Sequence, residues 1–365
     1  MTSTVRVPGL AINPGNRHSL HLTEIPLPDL TDGDVQIKVL DVGICGTDRE
    51  IIEAKFGTAP SDSPELVIGH EVLGEIEALC GDALGIAVGD LVTATVRRGC
   101  GCVQCAAGAP DFCSTLQYTE RGIIGRHGFM TDRFVESAAH IIPVPDPMRP
   151  IGVLIEPASV AEKAWRVATA VQSRIPSWTP RTAVVLGAGP IGVLATLLLR
   201  VKGIDVYTIA RRTASESLAA PIIAACGASY LSTRETDLAE VKKQLPNVDL
   251  IVECSSSSAA VEAALPLLGI NGVLVLLSIT GGSETATLPL ARINFDFVTG
   301  NKTMVGAVNS SADDFRAAIA DLQRIEQCWP GLSSRLITHR LGSLAEAIDL
   351  MESTRGAIKA VIELG

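Results

Sequence analysis

The sequence predicts an α/β protein with a β-rich first half, followed by a parallel sheet that helices cover on both faces. Before Trp178, short β-like runs alternate with Gly/Pro turns, which is typical of an antiparallel or barrel-like region. After Trp178, apolar strands alternate with helical segments, and such strands form a parallel sheet buried on both faces. A glycine-rich turn at the start of this second region agrees with the same fold class.

The predicted elements follow in chain order. In the first region the strand-like runs are "DVQIKVLDVGI", "EVLGEIEAL", "GDLVTATV" and "HIIPVP". Residues 156–175 have helical spacing, and "SWTPR" is interpreted as a linker. In the second region, strands are predicted at 182–186, 205–210, 248–253 and 272–279, with a helix from Pro190 to Lys202 after the first of them. From about Val308 the chain carries two predicted helices and the strand "AIKAVIEL".

Composition limits the class of protein and its partners. A chain of 365 residues suffices for two domains, and a formal net charge of −10 argues against nucleic acid or an anionic membrane as a partner. The start, "MTSTVRVPGLAINPG", lacks the apolar core of a signal peptide, and no apolar run reaches the length of a membrane span. A cytoplasmic protein is therefore expected. The nine cysteines of such a protein indicate metal binding or reactive thiols before disulfides.

The segment "VVLGAGPIG" carries the pattern G-x-G-x-x-G, which is a candidate dinucleotide site. Its members, with the two residues between the last glycines, are Gly187, Gly189, Pro190, Ile191 and Gly192. The pattern follows a predicted strand and opens a predicted helix, and this context makes it specific. Glycines let the backbone approach a pyrophosphate, and the helix N-terminus offers unpaired N–H groups. The alternative is a tight strand–helix turn that binds nothing.

The end of the second strand of this region distinguishes NADP from NAD. An NAD site usually has an Asp or Glu there, which binds the ribose 2′-hydroxyl. This chain has Ala210, followed by Arg211 and Arg212. Guanidinium groups bind a 2′-phosphate, whereas a carboxylate would repel it. NADP is thus the predicted cofactor and NAD the alternative, and the other interpretation of the two arginines is a solvated face.

Three distant segments supply residues that are typical of a catalytic zinc site. Cys45 lies between two glycines in "GICGTDREI", His70 and Glu71 begin "HEVLG", and Glu156 lies in "LIEPAS". A catalytic zinc has three protein ligands and one open position. Each residue alone would fit a structural role, but their combination with a dinucleotide site favours zinc.

A second cluster, "CGCVQCAAGAPDFC", spans residues 100–113 and is called the cysteine lobe below. It contains four of the nine cysteines of the chain: Cys100, Cys102, Cys105 and Cys113. Four thiolates suit a closed structural zinc site. The alternative is a set of free or disulfide-bonded thiols on a loop.

Taken together, these segments resemble the zinc-dependent medium-chain alcohol dehydrogenases. "GICGTD", "GHEVLGEI", the cysteine lobe, "LIEP" and "GAGPIG" occur in the order of that family. "GICGTDRE", "GIIGRHGFM", "EPASVAEKA" and "VGAVNSS" are similar to its archaeal-type glucose dehydrogenases. The resemblance covers essentially the whole chain. It implies a GroES-like catalytic domain at 1–178 and 308–365, and a Rossmann NAD(P)-binding domain at 179–307 inserted between them.

The resemblance also implies roles for residues around the metal. The implied ligands of the catalytic zinc are Cys45, His70 and Glu156. Glu71 matches a carboxylate near the metal that holds zinc when a ligand exchanges. Asp48 matches the carboxylate that orients the ligand histidine.

The substrate would meet Thr47, Glu120, Glu156 and Asn309. Thr47 matches the hydroxyl that relays the substrate proton. Glu120 lies seven residues after the last cysteine of the lobe, where the glucose dehydrogenases have a sugar-binding glutamate. Asn309 matches an asparagine near the substrate and the nicotinamide. The alternatives are a solvated charge for Glu120 and a turn residue for Asn309.

The cysteine lobe departs from the family pattern in one place. The family has C-x-x-C-x-x-C-x7-C, whereas the first interval here is C-G-C. The loss of one residue could tighten the first knuckle without emptying the site, or could leave only three good ligands. The catalytic site does not depend on this lobe.

The resemblance implies an NADP-preferring enzyme of carbohydrate metabolism that oxidises an aldose, glucose first, at C1 to the lactone. Zinc would polarise the anomeric hydroxyl, and hydride would pass to the nicotinamide. A homo-oligomer, dimer or tetramer, is expected. One alternative is a sister dehydrogenase acting on another polyol, a secondary alcohol or an amino alcohol. Another is a zinc-free NADPH-binding or regulatory protein, which loss of Cys45 or His70 would have indicated; both are present.

Overall fold

A computed structural model of the chain describes residues 5–279, 285, 287–353 and 356–365. The strands, in chain order, are β1 Arg6–Ile12, β2 His21–Pro26, β3 Asp34–Ile44, β4 Leu66–Val67, β5 Glu71–Leu79, β6 Leu91–Ala94, β7 Arg97–Arg98, β8 Thr119–Arg121, β9 Gly125–Arg126, β10 Arg133–Ser137, β11 Ile141–Pro143, β12 Thr182–Leu186, β13 Asp205–Ala210, β14 Ser229–Ser232, β15 Leu250–Glu253, β16 Val273–Leu276, β17 Thr303–Gly306, β18 Ile337–Leu341 and β19 Lys359–Glu363.

The α-helices, also in chain order, are α1 Gly46–Ile52, α2 Val103–Ala106, α3 Ile155–Gln172, α4 Pro190–Val201, α5 Ala220–Ala225, α6 Leu238–Gln244, α7 Ser258–Leu267, α8 Leu290–Gly300, α9 Ala312–Cys328 and α10 Leu344–Ser353. Short 3-10 turns lie at Pro110–Phe112, Ala138–His140, Asp146–Met148, Gly152–Leu154, Ala214–Glu216 and Ser333–Leu336. Within the described part of the chain, no helix has both the length and the apolar character that a bilayer span requires.

The chain divides into two compact units. The first unit consists of Met1–Glu156, Asn309–Ile319 and Ile337–Gly365, and the second unit of Pro157–Val308 and Ala320–Leu336. The first unit is therefore built from segments far apart in the sequence.

The first unit centres on β3, the longest of its strands. In the described residues its main sheet has seven strands, in the order β11-β6-β5-β3-β19-β18, with β10 also paired to β3. β3 runs antiparallel to both β5 and β19, with Gly43 opposite Glu71 and Ile44 opposite Ala360. The carboxyl end of β3 therefore meets the first residues of two other strands, and the candidate metal residues lie at this junction.

Two smaller sheets complete the described part of the first unit. One has the order β2-β1-β4, and the other has the order β7-β8-β9. The cysteine lobe lies on the connection between β7 and β8. These two short strands pair antiparallel, with Arg97 opposite Glu120.

The second unit contains a parallel sheet of six described strands, in the order β14-β13-β12-β15-β16-β17. All five residues of β12 are buried, as the uninterrupted apolar run "TAVVL" requires for a strand covered on both faces. Its core includes Val184, Ile251 and Leu274. The order of the strands reverses beside β12, and in such sheets ligands bind at the point of reversal. The predicted α/β fold class, a β-rich unit with a parallel sheet in a second unit, is confirmed.

The predicted elements differ from the structure mainly in their ends. The strand predicted at 272–279 is shorter, Val273–Leu276, and the helix predicted at 156–175 is Ile155–Gln172. β18 was not predicted, because its sequence "ITHRL" has three polar residues between two apolar ones and so shows no apolar alternation. In the structure none of its residues is fully buried.

Candidate active site and cofactor site

The structure brings Cys45, His70 and Glu71 together in the first unit. One potential ligand atom from each lies within 4.8 Å of the other two. His70 and Glu71 are buried and Cys45 is half-buried. Three residues that the sequence analysis took from two distant segments thus form one group.

Local backbone structure explains how Cys45 is presented. β3 ends at Ile44, and Cys45 is the N-cap of α1. The backbone N–H of Cys45 donates to Asp48 Oδ2 at 2.8 Å, so a carboxylate in the first turn of the helix closes the cap. Gly43, two residues before Cys45, must be a glycine for a steric reason. A Cβ at this position would lie 1.9 Å from Glu71 Oε2.

Asp48 also lies beside the candidate ligand histidine. Its side chain is fully buried, and its Oδ1 accepts a hydrogen bond from the N–H of Gly69 at 3.3 Å. His70 Nδ1 lies 3.4 Å from the same oxygen but forms no hydrogen bond with it. Burial alone would lower the pKa of His70, but Asp48 and Cys45 outweigh it and the pKa is raised. Asp48 therefore fixes the backbone of Cys45 by a hydrogen bond and acts on His70 through its charge.

Glu71 has a buried cationic partner that the sequence did not indicate. Lys359 Nζ donates to both carboxylate oxygens of Glu71 at 2.6 Å and to the carbonyl of Ile44 at 3.2 Å. Lys359 is 1% exposed and begins β19. The only signal for it was a lysine inside the apolar strand "AIKAVIEL".

Glu156 lies at the start of α3 and is buried. Burial, together with the nearby carboxylates of Glu71 and Asp48, raises the pKa of Glu156 to about 7, against the opposing effect of His70. Glu156 is outside the group whose ligand atoms all lie within 4.8 Å of one another. The charges of His70 and Glu71 thus influence Glu156, although Glu156 does not belong to the group of Cys45, His70 and Glu71.

The donor set fits a zinc ion. Sulfur, imidazole nitrogen and carboxylate oxygen are the three ligand types that zinc takes in catalytic sites. In a group of two buried carboxylates, a buried histidine and a half-buried cysteine, a divalent cation also offsets the cost of burying negative charge. Thr47 is the second residue of α1, two positions after Cys45, and its side chain is half-buried.

Glu120 is a buried, ion-paired residue and not a solvated charge. It is 6% exposed, and its Oε1 lies 2.9 Å from both Nε and Nη2 of Arg97. Asn309 Nδ2 donates to the same Oε1 at 2.8 Å. Asn309 has a left-handed backbone with φ of 59°. Two predicted substrate residues, 189 positions apart, are therefore hydrogen-bonded to each other.

The four cysteines of the cysteine lobe converge. One sulfur from each lies within 4.8 Å of all the others. All nine cysteines of the chain lie in the described ranges, and none forms a disulfide. The shortened C-G-C interval contains Gly101, whose φ of +85° is a conformation that glycine adopts without strain. This glycine lets the first two cysteines turn towards the same point despite the missing residue.

The G-x-G-x-x-G segment of the second unit forms the turn between β12 and α4. Gly187 has a φ of +105°, and a Cβ there would lie 2.8 Å from the carbonyl oxygen of Cys254. A Cβ at Gly192 would lie 2.0 Å from the carbonyl oxygen of Gly187. Gly189 is the N-cap of α4, and a Cβ there would meet nothing within 4 Å. The turn thus needs two glycines for its own packing, while the third keeps the helix N-terminus open to a ligand.

Ile191 follows Pro190 in the first turn of α4. Pro190 occupies the first helical position, where its missing N–H costs no hydrogen bond.

After the neighbouring strand β13, Arg211 and Arg212 are both exposed. Their backbone carbonyls accept hydrogen bonds from Ser232 Oγ at 3.3 Å and Tyr230 Oη at 2.9 Å, which fixes the loop that carries the two guanidinium groups.

Comparison with known proteins agrees with this architecture. Residues 31–146 match the family model of the alcohol dehydrogenase GroES-like domain, and residues 149–364 match that of the glucose dehydrogenase C-terminus. The chain is 38% identical to a glucose 1-dehydrogenase of Methanocella arvoryzae over 97% of this chain and 99% of that protein. It is 36% identical to a glucose 1-dehydrogenase of Halobacterium salinarum, over 89% and 91% of the two chains.

A similar solved structure is that of Haloferax mediterranei glucose dehydrogenase in complex with NADP, Zn and gluconolactone. The TM-score is 0.89 at 29% sequence identity, and the match covers 98% of this chain and 99% of the other. Matches of this length and identity, with the site geometry above, show that the chain belongs to the zinc-dependent medium-chain alcohol dehydrogenase family, in its glucose 1-dehydrogenase branch.

Proposed function

We propose that this enzyme oxidises an aldose, glucose first, at C1 to the lactone and transfers the hydride to NADP, with NAD as the weaker cofactor. The observation that carries the proposal is the polar pair formed by Glu120 and Asn309 in the same unit as the candidate metal group. A pocket for a simple alcohol needs apolar walls, whereas a sugar needs charged and amide partners for its several hydroxyls. The relatives named above, glucose 1-dehydrogenases and a glucose dehydrogenase with bound gluconolactone, support this substrate class.

The residues proposed to hold the catalytic zinc are Cys45, His70 and Glu156, with Glu71 as the carboxylate that can replace a ligand. Zinc supplies Lewis-acid polarisation of the reacting oxygen. Asp48 orients His70, and Lys359 holds Glu71 by two hydrogen bonds.

The remaining proposed site residues bind and orient substrate and cofactor. The hydroxyl of Thr47 would receive the substrate proton and pass it outward. Glu120 and Asn309 would bind sugar hydroxyls, with Asn309 also near the nicotinamide. The turn formed by Gly187, Gly189, Pro190, Ile191 and Gly192 would bind the pyrophosphate, and Arg211 with Arg212 would bind the 2′-phosphate.

A substrate panel tests the proposal. Glucose, other aldoses, polyols, secondary alcohols and amino alcohols should each be offered with NADP and with NAD, while cofactor reduction and bound zinc are measured. We expect an aldose to give the highest kcat/KM and the product to release acid as the lactone hydrolyses. A higher kcat/KM for simple alcohols would contradict the sugar assignment and favour the sister-dehydrogenase alternative. Full activity after exhaustive chelation would contradict the zinc assignment.

Domain boundaries, location and assembly are part of the same proposal. The GroES-like domain would comprise 1–178 and 308–365, the Rossmann domain 179–307, and the enzyme would act in the cytoplasm as a homo-oligomer. For assembly, the supporting observation is that β17 ends the order of the described strands, so its outer edge is available for pairing. Exposed apolar residues lie nearby in sequence: Leu290, Phe295, Val298 and Met304. A monomer by light scattering at micromolar concentration would contradict the assembly proposal.

A further inference from the structure

Arg97 makes the contacts that decide how Glu120 is presented. The two residues lie opposite each other across the β7–β8 pair. Three donors, Arg97 Nε, Arg97 Nη2 and Asn309 Nδ2, all reach the same oxygen, Oε1 of Glu120, at 2.8–2.9 Å. Among the described residues, no hydrogen bond reaches Oε2. The carboxylate is therefore fixed through one oxygen, while the other keeps its capacity to accept.

The guanidinium of Arg97 is itself held in place. It lies over the ring of Tyr118, 3.6 Å from the centroid, and Nη1 donates to the carbonyl of Pro110 at 3.4 Å. The Arg97 side chain is 3% exposed. A planar guanidinium fixed by stacking offers its fork of N–H groups with little loss of conformational entropy on pairing.

The neighbouring arginine, Arg98, has different partners from Arg97. Arg98 points to Glu136, with Nη2 2.6 Å from Oε2, and it also donates to the carbonyl of Thr95 at 2.9 Å. Consecutive residues of a strand face opposite sides, so Arg98 has a structural partner while Arg97 faces Glu120. Only Arg97 of this pair contacts a proposed substrate residue.

We propose that Arg97 is the positioning residue for sugar recognition: it fixes Glu120 through Oε1 and so directs Oε2 towards the substrate hydroxyls. The inference deepens the proposed function and rests on it. Arg97 does not touch the reacting atoms. Its charge balances that of a buried carboxylate, and its fork sets the plane of that carboxylate. An acceptor preset in this way favours substrates with a hydroxyl at that place and disfavours analogues that lack it.

The test is a double-mutant cycle. Arg97→Gln, Arg97→Lys, Glu120→Gln and the double variant Arg97→Gln/Glu120→Gln should be compared for kcat and KM with glucose and with NADP. Arg97→Gln should raise the KM for glucose about tenfold, as expected for loss of a charge-assisted contact, and leave the KM for NADP within about twofold. The double variant should be no worse than Glu120→Gln alone, because Arg97 acts through Glu120. Arg97→Lys, which keeps the charge without the fork, should recover part of the loss.

The matched control is Arg133→Gln. Arg133 pairs with Glu77 on the surface of the same unit, with Nε 2.7 Å from Oε2. This variant should leave the KM for glucose and the KM for NADP unchanged. Thermal melting of every variant ensures that kinetics are measured on folded protein, and Arg97→Lys remains informative if Arg97→Gln does not fold.

Two results of the cycle would overturn the inference while leaving the proposed function in place. One is a loss in the double variant equal to the product of the two single losses, which would mean that Arg97 acts independently of Glu120. The other is unchanged glucose kinetics in both Arg97 variants. Both outcomes differ from failure of the proposed function, in which the unmodified enzyme itself would prefer a substrate other than an aldose. That result would overturn the inference as well.

Discussion

Lys359 pairs with a residue far away along the chain: Glu71 lies 288 positions before it. Both side chains are buried, so each charge depends on the other for its neutralisation. Sequence reasoning found Glu71 from the motif beside His70, but a motif records neighbours in sequence only. The pairing of Lys359 required knowledge that β19 lies beside β3.

Lys359→Met should therefore destabilise the enzyme strongly. Removal of one partner of a buried ion pair leaves an uncompensated charge and costs about 3–5 kcal/mol of the free energy of unfolding. The measurement is chemical denaturation of the zinc-loaded protein. The double variant Lys359→Met/Glu71→Gln should recover part of the loss, since no unpaired carboxylate remains. Equal destabilisation in the single and double variants would show that Lys359 contributes through packing alone.

Arg211 and Arg212 allow a second test at the scale of residues. Replacing both by alanine should raise the KM for NADP roughly tenfold or more, because each charge-assisted contact to phosphate contributes about 1.5–3 kcal/mol. The KM for NAD, which has no 2′-phosphate, should change little. Arg234→Ala is a suitable control, since Arg234 is a nearby exposed arginine whose Nη1 lies 3.0 Å from Glu216 Oε2. Equal changes for the two cofactors would rule out phosphate recognition by the pair.

At the scale of elements, the sequence predicted those that repeat a simple pattern. β12, β13 and α4 were predicted with their bounds or within one residue of them, because continuous apolar runs and a glycine-rich turn identify them directly. β7 and β8 have only two and three residues, which is too short for periodicity to detect. These short strands position Arg97 and Glu120, so this part of the candidate site could not be assembled from sequence alone.

The cysteine lobe is an element whose metal content can be counted. The mutual approach of its four sulfur atoms predicts a closed zinc site, and the enzyme should bind about two zinc ions per chain. Cys102→Ser/Cys105→Ser should lower the count to about one and reduce thermal stability while the remaining zinc stays bound. Cys328→Ser, which changes an exposed cysteine outside the lobe, is the control. One zinc per chain in the unmodified enzyme, unaffected by the double substitution, would show that the lobe holds no metal.

For the whole molecule, buried titratable groups predict that acid lowers the stability. Burial and the nearby Arg98 lower the pKa of His140 to about 4, so the folded state favours the neutral imidazole. The unfolded chain takes up the proton below about pH 6.5, and stability is lost as the pH falls from there towards 4. Glu136 acts in the same direction: burial would raise the pKa of its carboxyl, but Arg121 and Arg98 outweigh it and lower the pKa, so its stabilisation is lost as it protonates.

Thermal melting between pH 7 and pH 4.5 measures this loss. Tm should fall with pH, and His140→Gln should flatten the curve because it removes one of the responsible groups. His339→Gln, at an exposed position of β18, should leave the slope unchanged. A slope that is the same in all three proteins would assign the acid sensitivity to groups other than His140.

The interleaving of the two units has a consequence for synthesis on the ribosome. β19 carries Lys359 and pairs with β3, but it is translated after every segment of the second unit, which ends at Leu336. The second unit can therefore fold on the nascent chain while the first unit still lacks a strand of its main sheet. Until residues 359–363 emerge, residues 41–44 of β3 have an unpaired edge and Glu71 lacks the charge of Lys359. The growing polypeptide is thus most exposed to strand-mediated association between the emergence of Leu336 and that of β19, and chaperone binding should be concentrated on β3 at that stage.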